Sequence, residues 1–257
     1  MIEIFFILAL LFGVFILFYR QAIDQYNILQ IEGTQLSDLP KLLSERTPVV
    51  VRGVGAPKLF TPETLNGNPR LLTYPVTSQM TLASYLQNPY NEKPYTMTKA
   101  VVTQLARETG LQVWAEHAWF SKFFSNSWFE TFFGLQSEAH LGEKGLRKTT
   151  AIYTMIYPTS SALDVTILTE QQQQYLPKAW RGKFPETITI QDTPLAGEIK
   201  YISIKLRPGT VLILPTHWFI SIRAADDDKK KPVLWAWMEV HNPISYLASK
   251  MESNVEG

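Results

Sequence analysis

An uncharged apolar run, Ile4 to Tyr19 (IFFILALLFGVFILFY), opens the chain and limits its fold more than any other feature. Sixteen such residues in a row do not suit a water-facing element. As a helix they rise about 24 Å, a little short of a usual hydrocarbon core but adequate for a thin bilayer. Tyr19 falls at headgroup depth, where amphipathic aromatics are favoured. The alternative is a cleaved leader. Against it, the acid Glu3 stands where a basic segment belongs, and no small-X-small site follows. Residues 1–20 are therefore expected to be a retained single-pass transmembrane anchor, touching the lipid bilayer through residues 4–19. Glu3 before the span and Arg20 after it place the C-terminal part on the cytosolic side.

Residues 21–33 read as a linker, and residues 34–257 as one domain of a size that suits a large all-β or α+β unit. Basic and acidic residues balance at 24 against 23, which leaves no electrostatic footprint for nucleic acid. The chain has no cysteine, so disulfides, thiolate catalysis and cysteine-held clusters are excluded. It also has no Asn-X-Ser/Thr sequon, and both absences suit a reducing compartment.

Local signals organise the domain. Thr34–Glu45 reads as an amphipathic helix broken at Pro40. Pro48-Val-Val-Val-Arg-Gly53 is a β-branched run closed by glycine, a buried strand. Thr81 is an N-cap for a helix over Leu82–Leu86, and Thr98 for one ending at Gly110. The aromatic stretch Val113–Phe133, with Phe120, Phe123, Phe124, Trp128, Phe129, Phe132 and Phe133 at helical spacing, is expected to pack on a sheet rather than skim a membrane. Thr149–Tyr157, Glu186–Ile190, Lys200–Leu206, Val211–Leu214, Phe219–Arg223 and Val233–Val240 read as strands. Pro208-Gly209 turns the chain, Gln171–Gln174 is a short polar helix or loop, and Asp226–Lys231 is a solvated hairpin tip. The fold class is mainly β with flanking helices (α+β), a barrel or sandwich behind a helical N-terminal half.

Three segments together resemble the JmjC-like branch of the cupins, which have a double-stranded β-helix fold. They are Pro48-Val-Val-Val-Arg-Gly53, Met80-Thr-Leu-Ala-Ser-Tyr-Leu86 and Leu206-Arg-Pro-Gly-Thr-Val-Leu-Ile-Leu-Pro-Thr-His-Trp218. The last is similar to the family's "PGD-V-L-hydrophobic-hydrophobic-P-x-x-W", after which an iron-binding His soon follows. The resemblance spans roughly residues 34–245 and implies an Fe(II)/2-oxoglutarate site, in which two His and one carboxylate hold the metal.

The family's His-X-Asp or His-X-Glu pair is missing. His117 is followed two residues on by Trp119, His140 by Gly142, His217 by Phe219 and His241 by Pro243. Two placements of the first pair remain open: His140 with Gly142 in place of the acid, or Asp164 with Ala162 in place of the His. Counting on from Pro215 and Trp218 puts Ile220 at the distal His position. His217 lies about three residues out of register and reads as a loop or packing residue. No Gly-X-Ser-X-Gly elbow, phosphate-binding glycine loop or His-Glu-X-X-His motif offers another chemistry.

The expected protein is thus a catalytically inactive, cupin-like structural or interaction module on a membrane anchor, with no cofactor and no metal. It would tie a membrane to a protein assembly, such as the internal membrane of a large DNA virus beneath its capsid, or an organellar complex. The rivals are a membrane-bound Fe(II)/2-oxoglutarate oxygenase with unusual ligands and a metal-free cupin that binds a ligand in its barrel.

Overall fold

The computed structural model describes residues 2–20, 27–55, 57–89, 97–124, 131–225 and 231–253. Eight strands build the centre: β5 (Gly134–Leu141), β6 (Lys144–Lys148), β7 (Tyr153–Pro158), β8 (Leu163–Leu168), β9 (Ile202–Leu206), β10 (Thr210–Pro215), β11 (Phe219–Ala224) and β12 (Leu234–His241). Labels β1 to β4 belong to earlier strands: β1 (Leu29–Glu32), β2 (Val49–Arg52), β3 (Pro75–Thr77) and β4 (Met80–Thr81).

One sheet runs β1-β2-β10-β7-β12-β5 and the other β6-β11-β8-β9. Every pairing among the eight central strands is antiparallel. Neighbours come from opposite halves of the domain: β12 lies beside β5 and β7, and β11 beside β6 and β8. That nesting is a folded antiparallel ribbon wound across two sheets, the strand order of a cupin-like double-stranded β-helix. β2 extends the larger sheet beyond β10, and β1 adds to it in parallel. Leu29–Glu32, assigned to the linker from sequence, is therefore an edge strand, while residues 21–26 lie outside the described set.

Alternation along the strands sorts side chains between two cores. Between the sheets lie Val50, Ile156, Leu163, Val165, Ile167, Leu212, Leu214, Trp218, Ile220, Ile222, Trp235 and Trp237. The outer face of the larger sheet presents Val49, Val51, Met155, Tyr157, Val211, Ile213, Met238 and Val240 to the N-terminal helices. These helices are α2 (Leu39–Ser44), α3 (Pro62–Asn66), α4 (Pro69–Leu72), α5 (Leu82–Gln87), α6 (Lys99–Glu108) and α7 (Leu111–Ala118). Thr81 and Thr98 cap α5 and α6 as expected, each accepting a backbone N–H. Gly110, at φ 75°, turns α6 directly into α7. Trp119 and Phe123 are buried in this outer core, and Phe120, Phe124 and Phe133 pack against it. Trp128 and Phe129 lie outside the described residues, as does the Asp226–Lys230 part of the hairpin tip.

Two strand assignments change. Glu186–Ile190 is not a strand; Pro185–Thr187 is a 3-10 turn, because Pro185 lacks the N–H a ladder requires. The strand expected from Thr149 begins only at Tyr153.

The first helix, α1 (Ile2–Arg20), holds nineteen residues. Its described side chains from Ile4 to Leu17 are almost all exposed, among them Ile4, Phe6, Leu10, Phe12, Val14 and Leu17. Among the described residues no helix is long and apolar enough to cross a membrane. The last helix, α8 (Pro243–Ser253), packs against both α1 and β12.

Candidate functional site

The five positions marked by sequence do not converge. His140 is on β5, and Gly142 forms the turn after it at φ 73°. The Gly142 N–H donates to the Val233 carbonyl at 2.9 Å. Asp164 lies on β8 between the interior residues Leu163 and Val165, so it faces out of the barrel. Its cross-strand neighbours there are Arg223 and Lys205. His217 occupies the tight turn between β10 and β11 with φ 70°. Its N–H donates to the Thr149 carbonyl at 2.9 Å, and its Nδ1 lies 3.8 Å from Glu170.

Ile220 points into the barrel, and its cross-strand partners are Arg147 on β6 and Ile167 on β8. His140 and Gly142 lie on β5 and in the turn after it, and Ala162 and Asp164 at the start of β8.

The structure instead builds a buried charged cluster that the sequence reading missed. The tripeptides Glu138-Ala-His140 on β5 and Glu239-Val-His241 on β12 repeat one Glu-X-His pattern. Residues two apart share a strand face, so all four side chains turn inward from the larger sheet. His140 Nε2 is 2.9 Å from Glu138, and His241 Nε2 is 3.2 Å from Glu239. Arg147 joins the pairs, donating to Glu138 at 3.3 Å and to Glu239 at 3.1 Å. Lys99 at the start of α6 approaches Glu138 at 3.9 Å. The visible signal was that repeat, which runs opposite to the His-X-acid order of an iron site.

Electrostatics fix the charge states. Burial works against ionisation of Glu138 and Glu239, yet the Arg147 guanidinium and the histidine hydrogen bonds hold both well below the ordinary carboxylate range. Burial, with Lys144 nearby, pushes His140 down to about 4, against a partial pull upward from Glu138. His140 is therefore neutral at physiological pH and donates its Nε2–H to the Glu138 carboxylate. Two carboxylates face one guanidinium and one ammonium, so the cluster is close to neutral.

Aromatic rings wall it in. His140 stacks on Trp235 at 4.3 Å and 10° between planes, and Arg147 lies 4.4 Å over Trp237. The Trp235 indole N–H donates to the Gly142 carbonyl at 2.8 Å. Each histidine is engaged with its own glutamate and Arg147 with both glutamates, and among the described residues no group of three His, Asp or Glu could hold a metal ion. A guanidinium between the carboxylates would also repel a cation at close range. The residues do not fit an Fe(II) centre.

No protein-family model and no curated protein matches this sequence. Among solved structures it is similar to procruciferin, the 11S globulin from Brassica napus, at 10% identity and a TM-score of 0.26. That match covers 43% of this chain and spans about a fifth of that one, 21%. The fold assignment rests on strand order, not on this likeness.

Proposed function

We propose that this chain is a membrane-anchored, non-catalytic cupin-like module, a degenerate relative of the JmjC-type oxygenases, which ties a membrane to a protein assembly. The packing of Ile220 carries the reading. At the position where the family resemblance calls for a metal-binding His, an aliphatic side chain is buried among Ile167, Trp218, Ile222 and Trp237. A non-haem iron centre requires converging donors and open coordination positions. Here aliphatic and indole side chains of both sheets form a buried cluster, and Arg147 pairs with Glu138 and Glu239.

The anchor half of the reading is supported by α1. Its nineteen residues contain the uncharged run Ile4–Tyr19. An exposed helix with Ile, Leu, Phe and Val around its circumference is costly in water and matched in lipid. The positive flank at Arg20 turns the globular domain toward the cytosolic side.

The test uses the full-length chain purified in mild detergent. After incubation with Fe(II) and 2-oxoglutarate under reducing conditions, it is expected to retain no stoichiometric iron and to release no succinate. One iron per chain, lost on replacing His140 or Glu138, would overturn the non-catalytic reading. Membranes carrying the chain should keep it through alkaline and high-salt washing; release into the wash would overturn the anchor.

A further inference from the structure

Helix α8 is turned inside out for a helix on a globular domain. Its buried side is polar and small: Ser245 is 0% exposed and Ser249 is 7%. Its outer side is apolar, with Tyr246 45%, Leu247 60% and Met251 73% exposed. At about 100° per residue, Pro243, Tyr246, Leu247, Lys250 and Met251 fall on one arc opposite the serines. A helix normally buries its apolar stripe, so this one is fitted to something outside the domain.

Its orientation is fixed. Asn242 and Ser245 form a reciprocal cap, with Ser245 N–H donating to Asn242 Oδ1 at 2.7 Å and Asn242 N–H donating to Ser245 Oγ at 2.9 Å. Ser245 Oγ also lies 3.4 Å from His241 Nδ1, which ties the first turn to the buried cluster on β12. The apolar arc cannot roll inward without breaking these contacts.

We infer that α8 is an interfacial helix that lies on the lipid surface beside α1, with Tyr246, Leu247 and Met251 in the headgroup–acyl boundary. This rests on the reading of α1 as a membrane anchor. The occupant follows from position: α8 packs against α1, which sets it beside the helix proposed to enter the bilayer. Its chemistry agrees. Lys250 lies 5.5 Å over the Tyr246 ring, and a lysine and a tyrosine on an apolar face are suited to the headgroup level, stems in and polar tips out. A second contact would hold the domain at a set tilt rather than on a free tether.

The absence of native cysteine makes the test clean. Full-length chains carrying Leu247→Cys, Met251→Cys, Leu10→Cys or Ile190→Cys are labelled with a polarity-sensitive fluorophore. Each is reconstituted in phosphatidylcholine nanodiscs with plain or brominated acyl chains. Labels at 247, 251 and 10 are expected to emit to the blue and to be quenched by brominated lipid. The label at the exposed Ile190 is expected to do neither. Quenching at 10 without quenching at 247 and 251 would overturn the inference and leave the anchor standing. A blue-shifted label at 247 without lipid quenching would overturn it in favour of a protein partner, a second copy included. No quenching at 10, 247 or 251 would overturn both readings, and quenching at 247 and 251 alone would keep α8 at the membrane and remove α1.

Discussion

The imidazole of His140 lies flat against the indole of Trp235, its cross-strand partner, with ring centroids 4.3 Å apart. Burial between the sheets, with Lys144 nearby, keeps His140 neutral, at about 4 against an ordinary 6.5. Between these values the unfolded chain takes up a proton that the folded chain refuses. Stability therefore falls as pH drops through the window, by an amount on the order of 3 kcal/mol. Glu138 and Glu239, held below their ordinary 4.5, add a loss in the same direction at lower pH. Urea denaturation at pH values from neutral to about 4.5 should show a falling midpoint. His140→Gln keeps an N–H donor for Glu138 and should flatten the upper part of that curve. A wild-type midpoint that does not move would contradict the neutral assignment.

Arg147 is the residue whose loss should cost most at the cluster. Arg147→Leu leaves two buried carboxylates without their guanidinium, and removing one partner of a buried pair costs roughly 3–5 kcal/mol. Adding Glu138→Gln and Glu239→Gln to Arg147→Leu removes the uncompensated charge and should recover much of the loss. Calorimetry of the single, double and triple variants measures this coupling directly. Strictly additive losses would mean that the three side chains do not act as one network.

Much of the barrel is legible in the sequence because its later strands bury aliphatic residues. Val49–Val51, Ile202–Leu206 and Val211–Leu214 carry the pattern a strand requires, and Pro208-Gly209 supplies a turn with Gly209 at φ 90°. β5 escapes notice for the opposite reason. Its inward face is Gln136, Glu138 and His140, which reads as solvent-facing until a guanidinium is placed against it. That guanidinium is 92 residues away in the chain from Glu239, a pairing made by topology alone. Glu186–Ile190 misleads in the other sense, since its β-branched residues sit in an irregular segment, with Ile190 exposed. The distal position could be counted to Ile220, whereas its neighbour Arg147 could not, because β6 and β11 are distant in the chain and meet only through the sheet topology.

Gly145 on β6 allows a close backbone approach. A Cβ there would lie 1.9 Å from the Gly182 carbonyl oxygen, which is backbone and cannot swing aside. The strand and that loop are joined by Leu146 N–H to Lys183 O at 2.7 Å and Gly182 N–H to Leu146 O at 3.0 Å. Gly145→Ala should break this attachment and destabilise the domain by about 2–4 kcal/mol, in the range for overpacking without room to relax. Gly197→Ala meets open space and serves as the control. Equal midpoints for the two variants would show that β6 and the loop are not in contact.

Val50 tests the position of β2. It faces Leu212 across the ladder and points into the barrel core, whereas Val49 and Val51 face the helices. Val50→Asp would bury a carboxylate with no cation beside it, at a cost of several kcal/mol. Val50→Thr, nearly the same in shape, should cost much less. An aspartate variant that unfolds at the wild-type midpoint would place this residue outside the core.

The last prediction separates location from folding. Among the described side chains none of the fully buried core residues belongs to α1; those residues begin at Leu39, with Ile28, Leu29, Ile31 and Leu36 packed against them. β1 supplies the first backbone pairing, from Leu29. Deleting residues 1–20 should therefore leave the cooperative transition in urea at an almost unchanged midpoint and slope, since the surface exposed on unfolding the domain is the same. What changes is the membrane: the shortened chain should leave washed membranes, having lost the hydrophobic hold that salt does not screen. The contact between α1 and α8 gives the comparison a further reading. Local fraying confined to α8 would appear as faster amide exchange in residues 243–251 with the barrel strands still protected. A shortened chain that loses the cooperative transition altogether would mean that α1 is part of the folded domain and not an appendage to it.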